Sequence, residues 1–426
     1  MTLAMKTLAS LTLAAMLAVP PVAEPVEPAE PVDTVETVES VEADPTPSSR
    51  AQAPDTDSCP HALTPPEPVT TSEIPAPSAE PTPLPVAVDG PCGVTAPAGF
   101  DVPEEVHASA WLVADIDSGE VVAAKDPHGR YRPASIIKVL LAMVVLEDLD
   151  PSREVVVGRE SAEQDGSAVG IGEGGTYTVE ELLHGLMLSS GNDAAHALAQ
   201  ELGGDDAALR KVNALARDLG TTDTVAASYS GLDAPGMSTS AFDMGLIYRQ
   251  AYRTPHLAEI MDTDHVPFPG FDDHPEFEVW NDNGLLLNDE HGLGGKTGFT
   301  DDANHTFVGG KEQDGRRLFA VILDTTTEKA RPWEQARMLI DAAYRVDPGD
   351  GVGLLEPVRV DAPTTTPAPE EPVEVPGVHD TEKPRFLREP GFIVVAVVAL
   401  LALVAAVVTV RSYARSRRRP NGHSNR

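Results

Sequence analysis

Proline and acid divide this chain into parts that can fold and parts that cannot. It has 426 residues, 39 prolines and a formal net charge of -36. The prolines are unevenly spread. Residues 24–58 are mostly Glu, Pro, Val and Thr, with ten acidic side chains against one arginine, Arg50. Such a stretch buries too little apolar surface to offset the entropy of ordering, so it is expected to stay extended and solvated. Residues 348–390 are again rich in Pro, Thr and Glu and read as a semi-rigid stalk. A hydrophobic core is left to residues 103–347, about the size of one large domain.

The flanks carry address signals. Lys6, the apolar run 8–19 and the small residues Ala18 and Ala23 predict a signal peptide over residues 1–23. Residues 391–410 are twenty uncharged residues, mostly Val, Ala and Leu, the length of one membrane helix. Arg411, Arg415, Arg417, Arg418 and Arg419 follow in the tail 411–426, and positive charge marks the cytoplasmic side. The expected arrangement is an extracytoplasmic body, one membrane span and a short basic tail inside. The acidic balance excludes a nucleic-acid binder, which needs a basic face. Only Cys59 and Cys92 are present, both in the Pro-rich segment 59–102. In an exported chain an even count points to one disulfide, with two free thiols as the other reading.

Within the body, residues 107–117 and 120–124 read as two strands around the turn Ser118-Gly119. An apolar run, 136–146, predicts a central helix. Thr178 with Glu181 three residues on is a capping box opening a helix to Leu188. Residues 194–202, 207–219 and 240–252 continue as helices. Strand-like runs at 305–310 and 317–323 flank the turn at Gly315, and 331–344 closes the domain as a helix. The expected fold is α/β of the α+β type. An antiparallel sheet built from both ends of the domain packs against a helical cluster.

Three short motifs carry chemistry. Ser135 stands after Pro133 at the start of the apolar helix, and Lys138 lies one turn on, so their side chains share a face. A serine hydroxyl needs an adjacent base, and a lysine shielded by apolar neighbours sheds its proton readily enough to serve. Ser190-Gly191-Asn192 falls at a break between helices. There Ser190 can pass a proton to a leaving amine, while Asn192 can bond a substrate peptide oxygen and the Lys138 amine. Lys296-Thr297-Gly298 reads as an edge strand. Lys296 and Thr297 can hold a carboxylate, and Gly298 lets a substrate backbone lie alongside. The backbone N–H groups of Ser135 and Phe299 are placed to form an oxyanion hole. Lys296, as a second cation, is expected to depress the Lys138 pKa. His256, His265 and His274, with nearby aspartates, show no close ligand spacing, so no metal and no cofactor is expected. They are read as a Pro-rich surface loop, and Trp111, Trp280 and Trp333 as packing residues.

Taken together over residues 106–344, Pro133-Ala134-Ser135-Ile136-Ile137-Lys138, Leu188-Ser189-Ser190-Gly191-Asn192-Asp193-Ala194 and Lys296-Thr297-Gly298-Phe299-Thr300 resemble the low-molecular-weight penicillin-binding D-alanyl-D-alanine carboxypeptidases. The resemblance implies a β-lactamase/transpeptidase-like fold and a serine peptidase of cell-wall synthesis. Ser135 would be acylated by a peptidoglycan stem peptide ending in D-Ala-D-Ala, and by β-lactams, with Lys138 as base. It also implies an arginine beyond the last strands that helps hold the substrate carboxylate, and Arg331 stands at that place. Phe299 departs from relatives that carry His there, and the stalk and membrane span replace the second β domain and amphipathic anchor of many relatives. A membrane-anchored β-lactamase is an alternative, although such enzymes usually carry Ser-Asp-Asn as the middle motif. So is a non-catalytic penicillin-recognising sensor or scaffold.

Overall fold

A computed structural model describes residues 50–69 and 91–357. The expected signal peptide, residues 24–49, the stalk beyond residue 357, the membrane helix and the basic tail lie outside them. Strand β1 (Val94–Thr95) pairs with the outer edge of β3 (Glu120–Lys125), which forms a hairpin with β2 (Ala110–Asp115). The Asp115 carboxylate accepts from the Asp117 and Ser118 N–H groups in the turn, and Gly119 takes the positive φ of 79° that closes it. Every residue of β2 and β3 is buried. That is why Trp-Leu-Val in β2 is continuously apolar rather than alternating.

A 3-10 turn over residues 134–137 leads into helix α1 (Lys138–Asp148), buried from Lys138 to Val145. A small ribbon, β4 (Glu154–Val156) with β5 (Thr176–Thr178), encloses the short α2 (Arg159–Ala162). Helices α3 (Val179–Leu188), α4 (Asn192–Glu201), α5 (Asp205–Asp218), α6 (Ala241–Tyr252) and α7 (Pro255–Met261) complete the helical cluster. The Thr178 capping box is fully formed: Thr178 N–H donates to Glu181 Oε2 and Glu181 N–H to Thr178 Oγ1, at 2.7 and 3.1 Å. Of the stretch read as a Pro-rich loop, His256 lies in α7 and His265 in a second ribbon, β6 (His265–Phe268) with β7 (Phe277–Trp280), while His274 lies in the loop between its strands. Alternation around Phe268 and Val279, both buried, drives that ribbon more strongly than its prolines oppose it.

After α8 (Gly284–Asn288) come the long strands β8 (Gly292–Thr300), β9 (Asn304–Gln313) and β10 (Arg316–Thr325), then α9 (Pro332–Ala343) and β11 (Gly353–Leu354). The main sheet runs β1-β3-β2-β10-β9-β8, antiparallel, with β11 also on β3. Strands from both ends of the domain thus share one sheet, as expected. Period two splits β2 between two cores. Ala110, Leu112 and Ala114 face the helical cluster, whereas Trp111 and Val113 join Ala336, Leu339 and Ile340 of α9 on the other side. The sheet is therefore covered on both faces.

The chain before the hairpin is tied down earlier than its composition suggests. Arg50 donates to the Asp324 carbonyl and carboxylate, Lys125 Nζ to the Pro54 carbonyl, and Thr56 Oγ1 to the Cys92 carbonyl. Cys59 and Cys92 form a disulfide. Further on, Arg130 and Arg132 donate to the carbonyls of Leu63 and Pro66.

Candidate active site

Ser135 lies in the 3-10 turn, and the α-helix proper begins only at Lys138. Tight turns of this kind are frequent at helix starts. Ala134 just before it sits in the left-handed region, φ 48°, which costs a non-glycine about 1–2 kcal/mol. Neighbours hold the turn in that shape: Thr306 Oγ1 donates to the Pro133 carbonyl and Tyr248 OH to the Ile136 carbonyl, at 2.8 and 2.9 Å. Lys138 Nζ lies 2.8 Å from Ser135 Oγ and 2.5 Å from the Ser230 carbonyl. Lys138 is fully buried. Burial, and then the nearby Lys296 charge, push its pKa well below that of an ordinary lysine, against the pull of Asp282 and Asp193. A neutral amine beside a hydroxyl is a general base next to its nucleophile.

Ser190 occupies the break between α3 and α4, also left-handed at φ 62°, so the turn rather than a helix sets its direction. A Cβ on Gly191 would fall 2.6 Å from Asp193 Oδ1 and 3.0 Å from Val169 N, so an aspartate at this place, as in Ser-Asp-Asn, does not fit without displacement. Asp193, given no role from sequence, organises the wall beside it. Its buried carboxylate accepts from the N–H groups of Val169, Gly170, Ile171 and Ala194. Asn192 is turned to the same loop: Nδ2 donates to the Asp165 carbonyl and its N–H to that of Ser167, both at 2.7 Å. The expected Asn192–Lys138 bond is not formed, because those carbonyls hold the amide and Ser230 holds the amine. Asn192 Oδ1 is buried without a partner.

Strand β8 is the edge of the sheet, and its Gly298 packs on the nucleophile. A Cβ there would lie 2.3 Å from Thr306 Oγ1 and 3.0 Å from Ser135 N. Only glycine allows this approach. Lys296 is fully buried and its pKa is lowered by burial, with Asp282 opposing. Its Nζ reaches Thr297 Oγ1 at 3.3 Å and Asp282 Oδ2 at 3.4 Å, and Thr297 Oγ1 donates to that same carboxylate oxygen at 2.6 Å. Phe299 is 44% exposed and packs against His305. The loop after β8 is fastened to the one after Ser230, since Thr300 Oγ1 donates to Asp233 Oδ1 at 2.6 Å.

Asp282 was not singled out from sequence. It stands in a polar triplet: Asn281 Nδ2 donates to the Met261 and Thr263 carbonyls, and Asn283 Oδ1 accepts from Leu285 N–H at the start of α8, and nothing in its spacing separates Asp282 from them. Arg331 stands at the N-terminus of α9. It is exposed, its N–H donates to Glu334 at the start of α9, and among the described residues no bond links it to Lys296 or Thr297. Trp280, expected to pack, is 55% exposed and stacks on His265, whereas Trp111 is buried. A second serine–histidine pair, Ser161 Oγ and His196 Nδ1 at 2.8 Å, is buried apart from these motifs, with the Gln200 amide nitrogen 3.2 Å from His196 Nε2.

Comparison with known proteins gives the family. The family model described as D-alanyl-D-alanine carboxypeptidase matches residues 96–327. D-alanyl-D-alanine carboxypeptidase DacB2 of Mycobacterium tuberculosis is 41% identical over 263 residues, 61% of this chain and 90% of that protein. DacD of Escherichia coli is 31% identical over 252 residues, and there the match spans 56% of this chain and 63% of the relative. The crystal structure of a D-alanyl-D-alanine carboxypeptidase from Mycobacterium tuberculosis superposes with a TM-score of 0.58 at 40% identity, covering 61% of this chain and 99% of that one. DacD of Francisella tularensis, at 24% identity and a TM-score of 0.53, shares the fold, with 61% of this chain and 74% of that one covered. With more than half of its 426 residues inside the matched segment, the chain belongs to the D-alanyl-D-alanine carboxypeptidase family.

Proposed function

We propose that this protein removes the terminal D-alanine from peptidoglycan stem peptides ending in D-Ala-D-Ala, through an acyl-enzyme on Ser135. The observation that carries the reading is the 2.8 Å contact between Ser135 Oγ and a buried amine, Lys138, whose pKa is depressed. Neutral Lys138 takes the hydroxyl proton as Ser135 attacks the carbonyl of the penultimate D-alanine. The oxyanion is received by the backbone N–H groups of Ser135 and Phe299, in a position to which Gly298 gives access. Ser190 passes a proton to the leaving amine, and D-alanine departs. Water, activated by Lys138, then frees Ser135. Lys296 and Thr297 seat the substrate's terminal carboxylate by charge and hydroxyl, and Asn192 Oδ1 and the open edge of β8 line the peptide. β-Lactams acylate Ser135 by the same route, their carboxylate on the same two residues. Arg331 is given no part, since among the described residues no bond links it to Lys296 or Thr297.

Intact-mass spectrometry after incubation with benzylpenicillin tests this. One adduct is expected on the wild type and none on Ser135→Ala, together with release of D-alanine from a D-Ala-D-Ala peptide by the wild type alone. An adduct on Ser135→Ala overturns the assignment of the nucleophile. Rapid turnover of nitrocefin without D-alanine release would favour a β-lactamase.

We further propose that the catalytic body stands outside the cell membrane, anchored by residues 391–410 with the arginines of the tail inside. The support is the uncharged twenty-residue run, the arginines after it and the disulfide of the body. Among the described residues no helix is long and apolar enough to cross a membrane. Release of the protein from membranes by alkaline carbonate would count against the anchor.

A further inference from the structure

The residues read as the seat for the substrate carboxylate hold a carboxylate of the chain itself. Asp282 Oδ2 accepts from Thr297 Oγ1 at 2.6 Å and lies 3.4 Å from Lys296 Nζ. The same residue is fixed from the other side of the cleft, because its backbone N–H donates to the Leu188 carbonyl at the end of α3, two residues before Ser190. Its charge also acts on Lys138. The side chain is 35% exposed while Lys296 is fully buried, so the carboxylate faces solvent and the ammonium does not.

We propose that Asp282 is a resident counter-ion that the terminal carboxylate of the substrate displaces, and that returns to Lys296 and Thr297 when D-alanine leaves. The proposal rests on reading Lys296 and Thr297 as the carboxylate seat. An unpaired ammonium in the interior is costly, and Asp282 removes that cost while the site is empty. Two carboxylates crowded on one ammonium and one hydroxyl repel each other, so the incoming one competes with Asp282 for both partners. Binding is therefore an exchange of one anion for another, and its net gain is smaller than that of filling a vacant seat. The consequence differs between ligands. Carboxypeptidation cuts away the residue that bears the carboxylate, so Asp282 can return at once and oppose rebinding of D-alanine. A β-lactam keeps its carboxylate attached through the acyl-enzyme, and Asp282 is held off for that whole lifetime. Asp282 thus selects for ligands whose anionic end departs.

The test uses the full chain with Asp282→Asn, an amide of the same shape that still accepts from Thr297 but carries no charge. The second-order acylation rate is measured with benzylpenicillin and with its methyl ester, which lacks the carboxylate, and inhibition by added D-alanine is measured alongside. Asp282→Asn is expected to raise the acid-to-ester rate ratio about tenfold, and to let D-alanine inhibit at lower concentration. An unchanged or lower ratio, with acylation by the ester retained, overturns the proposal. Should the amide variant fail to fold, Asp282→Ser is read in the same way. Lys296→Ala separates the premise from the proposal: if it leaves the acid-to-ester ratio of the wild type intact, the carboxylate seat lies elsewhere, and the counter-ion role falls with it.

Discussion

Both hydrogen-bond partners of Lys138, the Ser135 hydroxyl and the Ser230 carbonyl, are uncharged. Burial without a contacting carboxylate is what makes this lysine a base. Acylation is therefore expected to rise with pH through a value well below that of free lysine and then level off. Lys296 contributes to that depression, so Lys296→Ala moves the acid limb to higher pH. The sign follows from the charge: removing a positive neighbour makes protonated Lys138 easier to keep. A pH profile of acylation by the methyl ester, which does not depend on the carboxylate seat, measures it; a limb that stays put or moves to lower pH sinks the claim. Residue types and spacing were enough to point to Ser135, Lys138, Ser190, Lys296 and Thr297. They could not point to Asp282, because an aspartate between two asparagines looks like one more turn residue until the fold sets it on a lysine.

Among the elements, β8 and the 3-10 turn must touch for the site to exist. Their contact is at Gly298, where an added Cβ would overlap Thr306 Oγ1 and crowd Ser135 N. Thr306 is itself bonded to the Pro133 carbonyl, so it cannot give way without moving the turn. Gly298→Ala is expected to cut acylation about 100-fold, the typical effect of a displacement near 1 Å, while far-ultraviolet circular dichroism stays native. Full activity in that variant would show that the close approach is not needed. The longer helices and strands were legible from periodicity and caps, the Thr178 box down to both of its bonds, whereas the short α2, α7 and α8 were not. The ribbon of β6 and β7 was not, since its prolines and aspartates look like a loop and only the burial of Phe268 and Val279, which pair across the ribbon with Phe277 and Val266, offsets them. The same ribbon leaves Trp280 exposed on His265, a stack that no local rule foretells.

On the scale of the whole molecule, the segment 50–69 binds the domain from outside. It meets Asp324, Lys125, Arg130 and Arg132 through its own backbone and Arg50, and Val69 N–H donates to Asp302 in the loop after β8. Arg130 and Arg132 lead directly into the turn that carries Ser135. The disulfide closes a loop of 33 residues in sequence separation. In the chain-entropy account a loop of this size contributes about 3–4 kcal/mol. Cys59→Ser with Cys92→Ser is expected to lower the melting temperature by about 10 °C, with a smaller loss in acylation rate below the transition. An unchanged melting temperature would mean that the non-covalent bonds of the segment suffice alone.

What the sequence by itself determined is local: which stretches cannot fold, where helices are capped, which cysteines can pair, and which serine has a lysine one turn away. Those follow from forces acting over a few residues, namely backbone sterics, hydrophobic period and charge density. Only the tertiary structure decided that Asp193 holds the wall of the cleft, that Asn192 turns from Lys138 to the 165–167 loop, and that Asp282 lies on Lys296. Each depends on groups far apart in the chain meeting in a medium of low dielectric, where one hydrogen bond or one neighbouring charge outweighs any local preference.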